Sequence, residues 1–265
     1  MRNGFFILLL FLQFCSKLPP ALEHAHAHND YQHERPLFDA LDAGFTSVEA
    51  DIFLRNDTLF VTHDSSDIVK GNTLESLYLL PLKKYLKKQN GHLYSSGVPL
   101  TLLIDFKSDA NETYKTLSRI LKSYSKILTA YTNDRIIKGP VRIVISGNRP
   151  IELLSNEQER LATFDGRLND LPEKYPDNLM WLVSADASEL FTWQGKQTFP
   201  ESDLKKLDSL VTLVHSQGKR LRFWGTWDQP GLHRTELWQL LKNKNVDYIN
   251  TDDLTGLKAF FEGKY

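Results

Sequence analysis

HAHAHNDYQHERPLFDALDAGFTSVEADIFL, residues 24–54, holds one unit of the pattern that decides the fold. A β-rich run ends at His28, Asn29 and Asp30. A short helical stretch follows, with Arg35 at its start, and a second β-rich run occupies Phe45–Leu54. In that second run Glu49 and Asp51 are two residues apart, so both point to one side of a strand. His24, His26 and His28 alternate in the same way. Whether this is a metal site, a catalytic site or plain polarity depends on which other side chains meet the histidines.

The strand–helix–strand unit recurs outward from there. ALEHAHAH, FTSVEADIFL, LTLLIDFK, VRIVIS, LATFD, LMWLVSAD, RLRFWGTW and VDYINTD are eight candidate strands. Amphipathic stretches stand between many of them. ETYKTLSRILKSYSKIL places Tyr114, Leu117, Ile120, Leu121 and Tyr124 at helical spacing. ESDLKKLDSLVTLVHSQGK starts with polar cap residues and ends at Gly218. GLHRTELWQLLKNKN and LTGLKAFFEGK complete the set. Strands alternating with helices imply parallel pairing, and the size fits an α/β fold of the (β/α)8 TIM-barrel type. One domain is expected over residues 21–265. The long insert from Asp64 to Pro99 contains TLESLYLLPLKKYLKKQ, read as helix interrupted at Pro81, and FDGRLNDLPEKYPDN reads as a loop.

The first residues differ from the rest. In MRNGFFILLLFLQFCSK, Arg2 precedes an apolar run from Phe5 to Leu12 that is too short to span a bilayer. It reads as a signal peptide within residues 1–20, so an exported protein, periplasmic or extracellular, is expected. Cys15 ends the run and offers a point of lipid attachment, and an uncleaved anchor is the third option. Cys15 is the only cysteine, so no disulfide contributes and stability must come from the core. Of the 265 residues 41% are hydrophobic and 25% charged, with net charge −1. That balance argues against a nucleic-acid partner, and a monomer is expected.

In parallel barrels chemistry collects at the carboxyl ends of the strands. Reading polar residues only there yields His28, Asn29 and Asp30, then Glu49 and Asp51, then His63 and Asp64 from TLFVTHD, then Asp105 and Lys107. Glu49, Asp51, Asp105 and Asn29 are hard oxygen ligands, a set that suits one Ca²⁺ or Mg²⁺ better than zinc. Without a cation, converging carboxylates would repel until one took a proton. His28 and His63 would flank the cation and exchange protons near neutral pH. Lys107 adds positive charge where an anion would sit.

HND, SVEADI, THD, LLIDFK and VDYINTD resemble, in order and spacing, the phosphatidylinositol-specific phospholipase C and glycerophosphodiester phosphodiesterase superfamily. The resemblance covers nearly the whole chain after the leader. It implies that His28 and His63 are general acid and base, and that Glu49, Asp51 and Asp105 hold Ca²⁺ or Mg²⁺. It further implies a phosphoric diester hydrolase, with two-histidine catalysis and a cyclic phosphate as one available route. Asn29 stands where glycerophosphodiesterases have arginine; eukaryotic phospholipases C have His-Asn there with the amide on calcium. The Pro-Glu-Asn-Thr stretch of glycerophosphodiesterases has no counterpart, and HERPLFDAL occupies its place. The pattern is most similar to the branch of the altered-inheritance-of-mitochondria phosphodiesterase-like proteins. The substrate class implied is a glycerophosphodiester or a phospholipid head group, with peripheral membrane contact as an accompanying option.

Each residue also has a plainer reading. His24 and His26 read as structural, as do His215 and His233 within helices. Asp105 and Lys107 could form a simple salt bridge. Arg35 binds phosphate bidentately or caps the first helix. Asn148, Arg149, Asp165 and Arg167 follow strands four and five and are candidates for touching substrate. Trp224 is a candidate pocket wall, though tryptophan is more often core. Lys83, Lys84, Lys87 and Lys88 read as a solvated helix face, with attraction to anionic lipid as the alternative. A zinc amidohydrolase would need histidines after the middle strands, which end without any. A non-catalytic barrel that only binds a lipid head group or a partner is the remaining alternative, and it normally loses a histidine or a ligand that this chain keeps.

Overall fold

The computed structural model describes residues 18–132, 135–195 and 198–264. The leader and Cys15 lie outside the described residues. Eight parallel strands close into a barrel: β1 (Leu22–Ala27), β2 (Phe45–Arg55), β3 (Leu100–Phe106), β4 (Val141–Gly147), β5 (Ala162–Gly166), β6 (Met180–Asp186), β7 (Arg220–Trp224) and β8 (Tyr248–Thr251). Closure is made by β1, which pairs with β8 through Ala25↔Ile249 and Ala27↔Thr251 and with β2 through His26↔Ser47. All eight β-rich runs of the sequence are barrel strands, and the first lies inside the barrel wall as expected.

Helices α1 (Phe38–Ala43), α2 (Leu80–Lys88), α3 (Ala110–Lys122), α4 (Ile151–Asn156), α5 (Ala187–Leu190), α6 (Glu201–Ser216), α7 (Leu232–Asn243) and α8 (Leu254–Phe261) pack around it. No helix among the described residues is long and apolar enough to cross a membrane. The helix α3 begins where Asp109 accepts from the Glu112 N–H at 2.9 Å, and it buries Tyr114, Leu117 and Leu121. Pro81 does not end its helix. Glu75–Leu79 form a π-helical turn in which the Leu80 N–H reaches Glu75, and Pro81 then falls in the first turn of α2, where its missing N–H is not needed. The stretch read as a loop after β5 contains a short 3₁₀ helix, Leu168–Glu173, started by Asp170 accepting from the Arg167 N–H at 2.7 Å. A strand at Thr58–Val61 folds back antiparallel on β2, and a small three-stranded sheet lies outside the barrel.

The strands are apolar on both faces because both faces are covered. In β3, Leu100, Leu102, Ile104 and Phe106 join the main core, while Leu103 packs with Val144, Leu182 and Tyr248 in a separate cluster. Above Leu103 the alternation brings Asp105 to the mouth, paired in register with Asp51 on one side and Ser146 on the other. Gly147 ends β4 at φ +66, and a Cβ there would collide with Asp105 Oδ1 and the Phe106 carbonyl. Gly147→Ala should therefore cost roughly 1–3 kcal/mol of stability in chemical denaturation. It should also weaken divalent-cation binding, because the displaced atom belongs to Asp105.

Candidate active site

The barrel mouth holds a cavity of about 510 Å³, lined on one side by residues from β1 to β3 and on the other by Ser146, Arg167, Arg222 and Trp224. Glu49, Asp51 and Asp105 each present an oxygen within 4.8 Å of the others. Glu49 and Asp51 are only 4% and 1% exposed, so their charges have little water to screen them. Burial, reinforced by Glu49 and Asp51 and opposed by Lys107, pushes the Asp105 carboxyl up to about 6. Burial acts in the same sense on Glu49, but the Arg222 guanidinium and His26 outweigh it and hold that carboxyl well below the usual range.

Each carboxylate has a protein partner and spare capacity. Asp51 Oδ2 accepts from the Tyr31 hydroxyl at 2.9 Å, lies 2.7 Å from His63 Nδ1 and 3.5 Å from Lys107 Nζ. Its Oδ1 is buried without a hydrogen-bond partner among the described residues. Glu49 uses Oε2 for Arg222 Nη1 at 2.6 Å and for His26 Nε2 at 3.0 Å. Asp105 Oδ1 lies 3.2 Å from Lys107 Nζ. An unpartnered buried carboxylate oxygen within an all-oxygen cluster fits a hard dication, and the cluster lacks the nitrogen or sulfur donors zinc favours. Asn29 lines the same cavity in a left-handed conformation, φ 47. It is linked to the carboxylates through Tyr31, whose hydroxyl lies 3.4 Å from Asn29 Oδ1.

The two histidines share one arrangement. The His28 N–H continues the β1–β8 pairing by donating to the Thr251 carbonyl at 3.0 Å, which brings its Nδ1 to 2.8 Å from Asp252 Oδ1. Thr62 N–H donates to the Asp51 carbonyl at 3.0 Å, which sets His63 beside the Asp51 side chain. In both rings a carboxylate engages Nδ1, and no hydrogen bond among the described residues engages Nε2. Such a carboxylate fixes the tautomer and orientation of the ring. Burial works against the charged form of His28, yet the hydrogen bond to Asp252 and the charges of Glu49 and Asp252 prevail and raise its pKa. Asp252 itself is held low, first by that hydrogen bond.

The β4–β7 side of the mouth carries residues that the sequence reading missed or left open. Arg222 is 3% exposed and anchors Glu49 from across the barrel, with Nε donating to Ser184 Oγ at 3.0 Å and Nη1 to Asn250 Oδ1 at 3.2 Å. Burial, then Arg222, pushes His26 down to about 4, so this buried imidazole is neutral; its Nδ1 lies 2.7 Å from Ser47 Oγ. The alternation of Arg220 and Arg222 in RLRFW was the available signal, since one face of that strand must look into the barrel. Tyr31 and Asp252 follow residues already singled out. Tyr31 is held as a protonated donor, burial raising its pKa.

Other candidates fall elsewhere. Arg35 is turned away from the cavity: its Nε donates to Asp39 Oδ1 at 2.8 Å and its Nη2 to Asp42 Oδ2 at 2.8 Å, so it clasps α1. Asn148 donates to the Ser108 carbonyl at 2.9 Å, and Arg149 is held by Asp170 and by the Asp165 carbonyl. Neither lines the cavity, because the left-handed Gly147 redirects the chain. Trp224 does line it and is exposed. Asp30 is buried and structural, accepting from the Leu37 N–H at 2.6 Å and the Tyr78 hydroxyl at 2.9 Å. His24 meets the Asp247 carbonyl, His215 the Asp247 side chain and His233 the Glu236 side chain. Lys83, Lys84, Lys87 and Lys88 are exposed on α2.

Known proteins resemble this chain over most of its length. A family model described as the AIM6-like phosphodiesterase domain matches residues 17–165. The "Altered inheritance of mitochondria protein 6" of Eremothecium gossypii is 33% identical over 91% of this chain and 70% of its own length. That of Kluyveromyces lactis is 34% identical over 90% of this chain and 72% of its own. The homolog from Arthroderma benhamiae is 29% identical over 89% and 83%. Among solved structures, a glycerophosphodiester phosphodiesterase from Agrobacterium tumefaciens superposes with a TM-score of 0.51 at 13% identity, covering 91% of this chain and all of that one. That likeness is one of fold, and it is the same barrel.

A cation bound among Glu49, Asp51 and Asp105 must displace the proton that Asp105 carries below about pH 6. Divalent-cation affinity measured by calorimetry should therefore weaken as pH falls from about 7 to 5, by up to roughly tenfold per unit below the Asp105 pKa. Equal affinity at both ends would remove Asp105 from the ligand set. Asp51→Asn should weaken cation binding at every pH.

Proposed function

Because the chain belongs to the AIM6-like phosphodiesterase family, we propose that its barrel mouth hydrolyses a phosphodiester with His28 and His63 as acid and base beside one divalent cation, Ca²⁺ or Mg²⁺. The observation that carries this reading is the pair of carboxylate-tethered histidines lining the same cavity as the three-carboxylate cluster. Both rings keep Nε2 for proton exchange, so one can take the proton of an attacking hydroxyl while the other protonates the leaving oxygen.

Charge supports a diester over more highly charged phosphates. Glu49, Asp51 and Asp105 carry three negative charges, and Lys107 and Arg222 return two. A dication in the cluster would act as a Lewis acid toward phosphate oxygens. With it the pocket has one surplus positive charge, which matches the single charge of a phosphodiester. Lys107, already within 3.5 Å of Asp51 and 3.2 Å of Asp105, adds a point charge beside the phosphate as charge builds there. Tyr31 donates to Asp51 and holds the carboxylate that orients His63.

The substrate that best uses two histidines is one that brings its own nucleophile. A glycerophosphodiester or phospholipid head group with a hydroxyl beside the phosphorus needs no separately bound nucleophile, which removes an entropy cost. The hydroxyl oxygen bonds to phosphorus, the leaving oxygen departs with a proton from one histidine, and a cyclic phosphate results. Water then opens the ring with the histidine roles reversed.

His28→Ala and His63→Ala should each lower turnover by roughly 10²–10⁴-fold while circular dichroism and melting stay close to wild type, since both residues sit at the mouth and not in the core. A diester whose neighbouring hydroxyl is removed or methylated should bind but barely react, and ³¹P NMR after rapid quench should detect the cyclic species. Equal turnover of the hydroxyl-free analogue would discard the internal route in favour of direct attack by water.

A further inference from the structure

We propose that Arg222 and Arg167 bind the substrate phosphate from the β5–β7 side of the mouth, as a pair of guanidinium groups sharing one aspartate. The proposal rests on the cavity being a phosphodiester site and names two further residues that touch the substrate there. Both arginines line the cavity. Both also lie beyond residue 165, outside the stretch matched by the family model.

The guanidinium groups are held in place but not used up. Arg222 spends Nε on Ser184 and Nη1 on Glu49 and Asn250, with His26 Nε2 also 2.7 Å from Nη1. Among the described residues its Nη2 has only Asp165 Oδ2, at 3.9 Å, which is beyond hydrogen-bond reach. Arg167 donates through Nη1 to Asp165 Oδ2 at 2.9 Å and through Nη2 to Ser146 Oγ at 3.2 Å, with its side chain about one-third exposed. Ser146 in turn donates to Asp165 Oδ2 at 2.9 Å. Asp165 Oδ2 thus holds Arg167 and Ser146 by hydrogen bonds, while Arg222 is within ion-pair distance of it and is anchored by Glu49.

Burying a guanidinium is costly, and a purely structural partner for Glu49 would not need to open onto the cavity. A charged donor at 3% exposure that lines the cavity is instead placed to meet an anion where water screens little. The position next to His28 holds Asn29, which has no charge to offer a phosphate. Arg167 and Arg222 supply that charge from the other side, so a phosphate would sit between them and Lys107.

The test is titration of dimethyl phosphate into the full chain by calorimetry, in Ca²⁺ or Mg²⁺ and again in chelator. Wild type should bind in the presence of the cation. Arg167→Gln and Arg222→Gln should each weaken binding by roughly tenfold or more, Arg222→Lys should recover part of the loss, and Arg35→Gln should match wild type. Melting curves accompany each variant; if Arg222→Gln is unfolded, Arg167→Gln at the rim decides alone. Wild-type affinity in a folded Arg167→Gln would overturn the proposal, as would failure of the wild type to bind dimethyl phosphate in either condition. Arginine-dependent binding without turnover of any diester would uphold the phosphate wall and overturn the hydrolytic reading instead.

Discussion

Three carboxylates crowded into a space of 4.8 Å are the constraint around which the barrel mouth is organised. In a poorly hydrated site such a cluster is unstable alone. The protein offsets the repulsion with fixed positive charge, by giving Glu49 to Arg222 and placing Lys107 between Asp51 and Asp105. These contacts tie β2 and β3 to β7 across the barrel interior, while His26 joins β1 to the same point. What remains is Asp51 Oδ1, buried and unpartnered among the described residues, and an Asp105 carboxyl that holds its proton to about pH 6. Both mark a cluster that the protein itself compensates incompletely.

The fold makes the crowding possible. In a parallel barrel all carboxyl ends meet at one mouth, and every second residue of a strand faces inward. Leu103, Val144, Leu182 and Tyr248 fill the middle of the barrel as an apolar plug. The next inward residues beyond that plug are the polar ones. Asp51, Asp105 and Ser146 are register neighbours, and Ser146 reaches Asp165 by a hydrogen bond. A row of polar side chains therefore runs along four consecutive strands at the level where a ligand would rest.

What could be read from the sequence follows from the same geometry. The eight strands, and the inward phase of Glu49, Asp51 and Asp105, were legible because strand periodicity fixes the direction of a side chain once the fold is known. His28 and His63 were legible because each adjoins a strand end. Arg35, Asn148 and Arg149 lie in turns or loops, where backbone conformation sets direction and periodicity says nothing; the left-handed Gly147 alone is enough to redirect Asn148 and Arg149. Arg222 was overlooked for a different reason. Its partner Glu49 is 173 residues away, and a charged residue in the middle of a strand has meaning only once that distant carboxylate is known to lie opposite.

The two histidine–aspartate pairs are built alike but are not equivalent. Asp252 belongs to the loop after β8, is well exposed, and has no part in the three-carboxylate cluster. Asp51 is buried inside that cluster, and its Oδ2 serves His63, Tyr31 and Lys107 at once. The orientation of His63 is therefore coupled to whatever occupies the cluster, because a cation drawing on Asp51 Oδ1 acts on the same carboxylate. His28 is oriented by an aspartate outside the cluster, with the Asn29 amide 2.9 Å from its Nδ1. One histidine is thus oriented from outside the three-carboxylate cluster and the other from within it, so the two rings answer to different surroundings.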